Sequence, residues 1–147
     1  MSDVPAKFTM QEVSSKDRLF AVVTHLVSIP FPVVGPFIAG KVLPSSYAKF
    51  HAHRATLGDL KIFLITSFAW LGYFSHTVYT AYQAWQSGGE SINWAMLIAK
   101  PILWLIAGAV LGSINTLSSI YRAVMAGTTD DWGDKGWESR LARKWTK

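Results

Sequence analysis

The sequence predicts an all-α, integral membrane four-helix bundle with an early proline-broken helical hairpin and amphipathic helices in the interface. Three observations predict it. Residues 60–85 form an apolar run of about 25 residues with Lys61 as its one formal charge, enough to cross a hydrocarbon core of ~30 Å as a helix. Half of the 147 residues are hydrophobic, so little polar chain is left to wrap such a run in water. The charged residues separate apolar blocks rather than interrupting them, and seven Trp with five Tyr are high for a small soluble domain.

Taken in order, residues 1–18 read as a polar cytoplasmic segment, 19–127 as the membrane domain and 128–147 as a Trp-rich basic tail. No basic stretch with a following small-residue cleavage site marks the start as a secretory signal, so the amino terminus is expected to be retained. Thr9 with Glu12 fits a capping box. Residues 19–29 and 33–43 are two apolar stretches of about 11 residues each, split by Pro30 and Pro32. Flank extension can lengthen both into crossings, and a tight hairpin follows, with Gly35 and Pro36 at the start of its returning helix. Ser45 or Ser46 caps the next segment, which is expected to lie in the interface and turn inward near Gly58 to become the central span. The Gly88–Gly89 pair marks a turn, 92–99 a short helix on the far surface with Trp94 at headgroup level, and Pro101 the opening of the last span to Met125, which Gly127 ends.

Orientation follows from the cations. With an early hairpin, one side of the membrane holds every Lys and Arg except Lys100, which places both termini on the cytoplasmic or stromal side. A formal charge of +5 concentrated at the ends of apolar segments favours anionic lipid headgroups over nucleic acid. A bacterial inner membrane, or an organelle membrane of bacterial descent, fits that asymmetry. The absence of Cys removes disulfides, thiolate metal sites and a cysteine nucleophile.

Several constellations bear on function. Gly108, Gly112, Asn115 and Ser119 form a small and polar stripe at helical spacing, expected to pack against other helices, within the chain first and against a second copy as a further option. Thr66, Tyr73, His76 and Thr80 give the central span a polar face that has to meet partners or a wet cavity. His25 and His76 fall at matching depth, so a haem or chlorophyll-type pigment is an alternative to a chain without cofactor. In the tail, Trp137, Leu141 and Trp145 share one helical face while Arg140, Arg143 and Lys144 take others; with Trp132 they read as a membrane-surface element. No P-loop, dinucleotide fingerprint, HExxH helix or nucleophile elbow occurs, and Asp59 is the one carboxylate near a span.

The string from Tyr47 to Asp59, YAKFHAHRATLGD, resembles the aromatic-rich FHAxxAxLxD-like start of the third helix in a family of small four-helix membrane proteins. That family includes the twenty-kilodalton channel-forming component of the chloroplast inner-envelope import translocon and bacterial relatives of unassigned function. Thr24-His25-Leu26, Gly35-Pro36-Phe37-Ile38 and Ile120-Tyr121-Arg122-Ala123 are similar to the same pattern, which covers roughly residues 19 to 127. The resemblance implies a four-helix fold; the Trp-rich tail departs from it and suggests docking. The expected function is a non-enzymatic membrane subunit, in contact with lipids and other integral membrane subunits, that packs into a larger complex. A channel or protein-translocation component is the alternative, and a haem or pigment protein the second.

Overall fold

The computed structural model describes residues 13–88, 94–129 and 136–146, with the side chains of 94–98 outside that description. The described residues are all-helical: α1 (Ser15–Val27), α2 (Val34–Val42), α3 (Ser46–Gln86), α4 (Trp94–Thr128) and α5 (Trp137–Thr146). They divide into two compact units, one of Met1–Gly58 with Ser119–Lys147 and one of Asp59–Ser118. The Thr9 and Glu12 capping box lies outside the described residues.

The cap that is present is Ser14. Its hydroxyl accepts from the Asp17 amide at 3.2 Å and donates to the Asp17 carboxylate at 2.7 Å. That bond, with a further one from Ser45, holds the Asp17 carboxyl below the usual carboxylate range. The chain just past α2 returns beside the start of α1, where Val13 packs against the cluster of Ala21, Tyr47 and Ala126. Ser45 itself caps α3, accepting from the Ala48 amide at 3.1 Å.

Between α1 and α2 the chain reverses at Pro30-Phe31-Pro32 as expected. The reversal closes through a three-residue γ-turn, in which the Val34 amide donates to the Pro32 carbonyl at 2.7 Å and Val33 takes φ 65°. A β-branched residue at positive φ is strained. Gly35 is required for a different reason: a Cβ there would meet Val27 Cγ1 at 2.7 Å, so the two helices touch backbone to side chain just behind the turn.

The lengths correct the four-crossing expectation. At 13 and 9 residues, α1 and α2 are about 20 and 14 Å long, short of a ~30 Å core, even though α1 starts at Ser15 in the polar flank ahead of its apolar stretch. Two helices are long and apolar enough to cross a membrane, Ser46–Gln86 and Ala99–Thr128. The expected interfacial helix and central span are one helix, α3, which continues through Gly58 without a break. Its residues 47–59 do not lie on a surface; they are buried almost without exception. Likewise no separate helix ends before Pro101. Within α4 the proline removes one amide donor, and the helix runs through it from Trp94.

In the first unit the small residues Ala21, Ala48, Ala52, Ala55, Ala123 and Ala126 are buried, so the inside is filled by close backbones rather than large apolar side chains. In the second, Tyr73 of α3 meets Trp104 of α4 at 5.9 Å between ring centroids, and Asn115 donates to the Asp59 carboxylate at 3.3 Å. The hairpin turn sets opposite signs for neighbouring substitutions. Val33→Gly should raise thermal stability in detergent by relieving a strain of about 1 kcal/mol, whereas Gly35→Ala should lower it by about 1–3 kcal/mol through overpacking on Val27.

Candidate functional site: a buried polar cluster

Helical spacing carries Thr24, His25 and Ser28 to the inner face of α1, and all three are about 1–2 % exposed. From α3 come His51, His53, Arg54 and Thr56, from α4 Ser119, and from α5 Ser139, every one buried. The centre of the cluster is an imidazole pair, with His25 Nε2 and His51 Nδ1 3.0 Å apart. One ring must donate and the other accept, so at least one of the two imidazoles is neutral. His51 is boxed in edge to face by Tyr47 and Phe50, at 4.6 and 5.2 Å between ring centroids. His25 Nδ1 is buried and has no hydrogen-bond partner among the described residues.

His53 Nδ1 is likewise buried without a hydrogen-bond partner among the described residues, and hydroxyls supply the bonds that follow. Ser28 donates to the His25 carbonyl at 2.8 Å and is hydrogen-bonded to the Ser119 hydroxyl at 3.2 Å, joining α1 to α4. Thr24 and Thr56 donate to the carbonyls of Phe20 and Ala52, four residues back on their own helices. The Tyr47 hydroxyl lies 3.1 Å from the carbonyl oxygens of both Ala126 and Thr129, sharing its proton between groups that the end of α4 leaves open. Arg122 pairs with Glu138 of α5 at 3.2 Å. The bonds of His25, Ser28, Tyr47 and Arg122 each tie one helix to another.

The expected site residues separate across the molecule. Ser119 and Asn115 do make helix-to-helix hydrogen bonds, with Ser28 and Asp59. Gly108 and Gly112 do not pack as expected against the described residues: a Cβ at either would meet none of them within 4 Å, so that face of α4 is open among them. His25 belongs to the first unit, where its partner is His51 rather than His76; His76 is exposed in the second. On the polar face of α3, Thr66 and Thr80 donate to the carbonyls of Ile62 and His76 on their own helix, and Tyr73 stacks on Trp104. The Thr66 and Thr80 hydroxyls are thus satisfied by their own helix.

The tail packs in the first unit through a face other than the one that carries its indoles. Ser139 and Ala142 are buried, and Ala142 with Leu141 joins a cluster with Phe50 and Leu57. Trp137, Arg140, Lys144 and Trp145 stay exposed, although the Trp145 ring meets the edge of His53 at 5.7 Å. Arg143 is half-buried and donates to the Ser139 carbonyl. Small residues let the α5 backbone come close, which a face of two indoles and a leucine does not allow. Trp132 and the side chain of Trp94 lie outside the described residues.

The His51 contact was missed in the sequence because His25 and His51 are 26 residues apart on different helices. The signal that existed was His51 itself, in a segment too rich in Ala for an exposed amphipathic helix. Comparison with protein-family models, curated proteins and solved structures finds no match to the chain.

A double-mutant cycle on His25→Phe and His51→Phe should give a coupling of about 1 kcal/mol in thermal unfolding, the net worth of one buried hydrogen bond. Ala142→Glu should lift α5 off Phe50 and Leu57, and limited trypsin digestion should then cut at Arg140 and Lys144 faster than in the unmodified chain.

Proposed function

We propose that this chain is an integral membrane protein, crossing the bilayer with α3 and α4 and serving as a non-enzymatic subunit of a larger membrane complex. The observation that carries the reading is an inverted distribution of polarity. The fully buried large side chains include His25, His51 and Thr24 beside Phe50, while Leu19, Phe31, Phe63, Phe68, Phe74, Leu103 and Leu117 are among the exposed ones. Single exposed apolar residues are ordinary, but a contiguous coat of them is not. Nine large apolar residues of 19–42 alone stand exposed. At about 1 kcal/mol forfeited for each half-exposed side chain, water would cost on the order of 10 kcal/mol, as much as a domain's whole stability. Lipid removes that cost.

With two consecutive crossings, both termini share one side, and the cation bias assigns that side as cytoplasmic or stromal. A role as a subunit is supported by Gly108 and Gly112, whose face of α4 is open to a close-packing neighbour helix, and by the exposed indoles and cations of α5. The likeness of residues 47–59 to small import-translocon membrane proteins fits a place in such an assembly.

The test is flotation of the expressed chain with membranes, followed by native mass measurement after mild detergent extraction. The expected result is a membrane-bound species heavier than one chain. Gly108→Leu with Gly112→Leu should leave flotation intact and shift the species to monomer. A chain that remains in plain buffer without lipid, or one that is monomeric in every mild detergent, would overturn the proposal.

A further inference from the structure

We propose that the α1–α2 hairpin is a re-entrant wedge: it enters a single leaflet of the bilayer tip first, returns to the face it started from, and is anchored at its base by anionic lipid headgroups. This rests on the membrane reading above and adds an element that it does not contain.

The first observation is length. At 13 residues α1 reaches about 20 Å, more than the ~15 Å of one leaflet's hydrocarbon and less than the ~30 Å of two. The second is return. Val13, just ahead of α1, packs against the cluster that Tyr47 at the start of α3 forms with Ala21 and Ala126, so the chain after α2 comes back beside the start of α1 and both ends of the hairpin lie at one level. The third is the segregation of charge. Lys16 and Arg18 stand at the start of α1 and Lys41 near the end of α2, all at that base, and no Asp, Glu, Lys or Arg occurs from residue 19 to 40. The ammonium groups of Lys16 and Lys41 lie over the rings of Phe20 and Phe37, at 5.8 and 5.5 Å from nitrogen to centroid, so cation and aromatic ring share one level at the base.

The fourth is the outer face. Leu19, Val23, Leu26, Phe37 and Ile38 are exposed, and so is Phe31 at the tip, at 64 %. The polar residues of the same helix, Thr24, His25 and Ser28, are turned inward. The fifth is the backbone of the turn itself. Irregular chain is excluded from hydrocarbon because its amide donors go unsatisfied. Here Pro30 and Pro32 carry no donor. The amides of Ser28, Ile29, Phe31, Val34 and Gly35 donate to the carbonyls of Thr24, Leu26, Val27, Pro32 and Phe31, at 3.2, 3.2, 3.1, 2.7 and 3.0 Å. The positive φ of Val33 is what brings the Val34 amide onto the Pro32 carbonyl. A turn in water has no need of that strained closure, since solvent would take the amide. A turn in lipid does.

Because the chain has no Cys, single thiols report cleanly. Phe31→Cys and Val34→Cys place a thiol at the exposed tip, and Ser46→Cys and Ser87→Cys place one at either end of α3. Each variant is reconstituted in vesicles of phosphatidylcholine with phosphatidylglycerol and treated with a membrane-impermeant maleimide from outside and from inside. The expected result is labelling of Ser46→Cys and Ser87→Cys from opposite faces and loss of labelling at both tip thiols from either face. A nitroxide on the tip thiols should be more accessible to oxygen than to a water-soluble nickel chelate. Lys16→Gln with Lys41→Gln should make that nitroxide shallower in vesicles with phosphatidylglycerol and leave it unmoved in phosphatidylcholine alone.

Tip labelling from the Ser87 face would mean that the hairpin crosses, and tip labelling from the Ser46 face that it lies in water; either overturns the wedge. So does a shielded tip whose nitroxides broaden one another and sharpen on dilution with unlabelled chain, since a second copy would then cover it. An unchanged tip depth in the lysine variant overturns the headgroup anchor. Labelling of Ser46→Cys and Ser87→Cys from the same face would instead defeat the membrane reading on which the wedge rests.

Discussion

Everything in the first unit depends on one constraint: its polar side chains are inside, so they must find one another. A polar group withdrawn from solvent without a partner costs a few kcal/mol, and the unit buries histidines, an arginine, threonines and serines together. The solution is spread over four helices. Ser28 and Ser119 tie α1 to α4, His25 and His51 tie α1 to α3, Tyr47 ties α3 to the carbonyls that end α4, and Glu138 ties α5 to Arg122. Alanine makes this geometry reachable, because Ala21, Ala48, Ala52, Ala123 and Ala126 let the backbones approach until short side chains meet.

With α3 and α4 crossing a bilayer as proposed, a related constraint accounts for helices that run on through glycine and proline. In α3 the long helix continues past Gly58, and in α4 it continues past Pro101. A helix satisfies its own backbone, whereas any break in an apolar environment leaves donors and acceptors to be matched elsewhere. Carrying one missing amide at Pro101 costs less than opening a loop. Where a reversal cannot be avoided, between α1 and α2, prolines and a γ-turn remove or pair the donors. The threonines of α3 follow the same logic by donating to carbonyls four residues back.

The tail shows how size overrides hydropathy in choosing a packing face. By period alone, Trp137, Leu141 and Trp145 form the obvious apolar stripe of α5. The face that docks is centred on Ser139 and Ala142, with Leu141 at its edge. A helix approaching a surface already made of Ala-rich backbones gains more contact through small residues than through indoles held away by their bulk. The indoles are left outside, with Arg140 and Lys144, as an exposed belt of aromatic rings and cations.

From the sequence alone, the all-helical class, the hairpin at Pro30 and Pro32, a cap at Ser45 or Ser46, the end of α4 near Gly127 and the two long apolar stretches were determined. These are local matters: hydropathy over a window, a missing amide, a hydroxyl within reach of the next turn. The tertiary structure decided what local rules cannot. It paired His25 with His51 instead of His76, buried residues 47–59, left Gly108 and Gly112 open, and turned Ser139 and Ala142 of α5 inward. The physical reason is that a polar residue's partner is whatever other helix is brought against it. That depends on the distances between helices and on the sizes of the residues between them, which no stretch of sequence carries by itself.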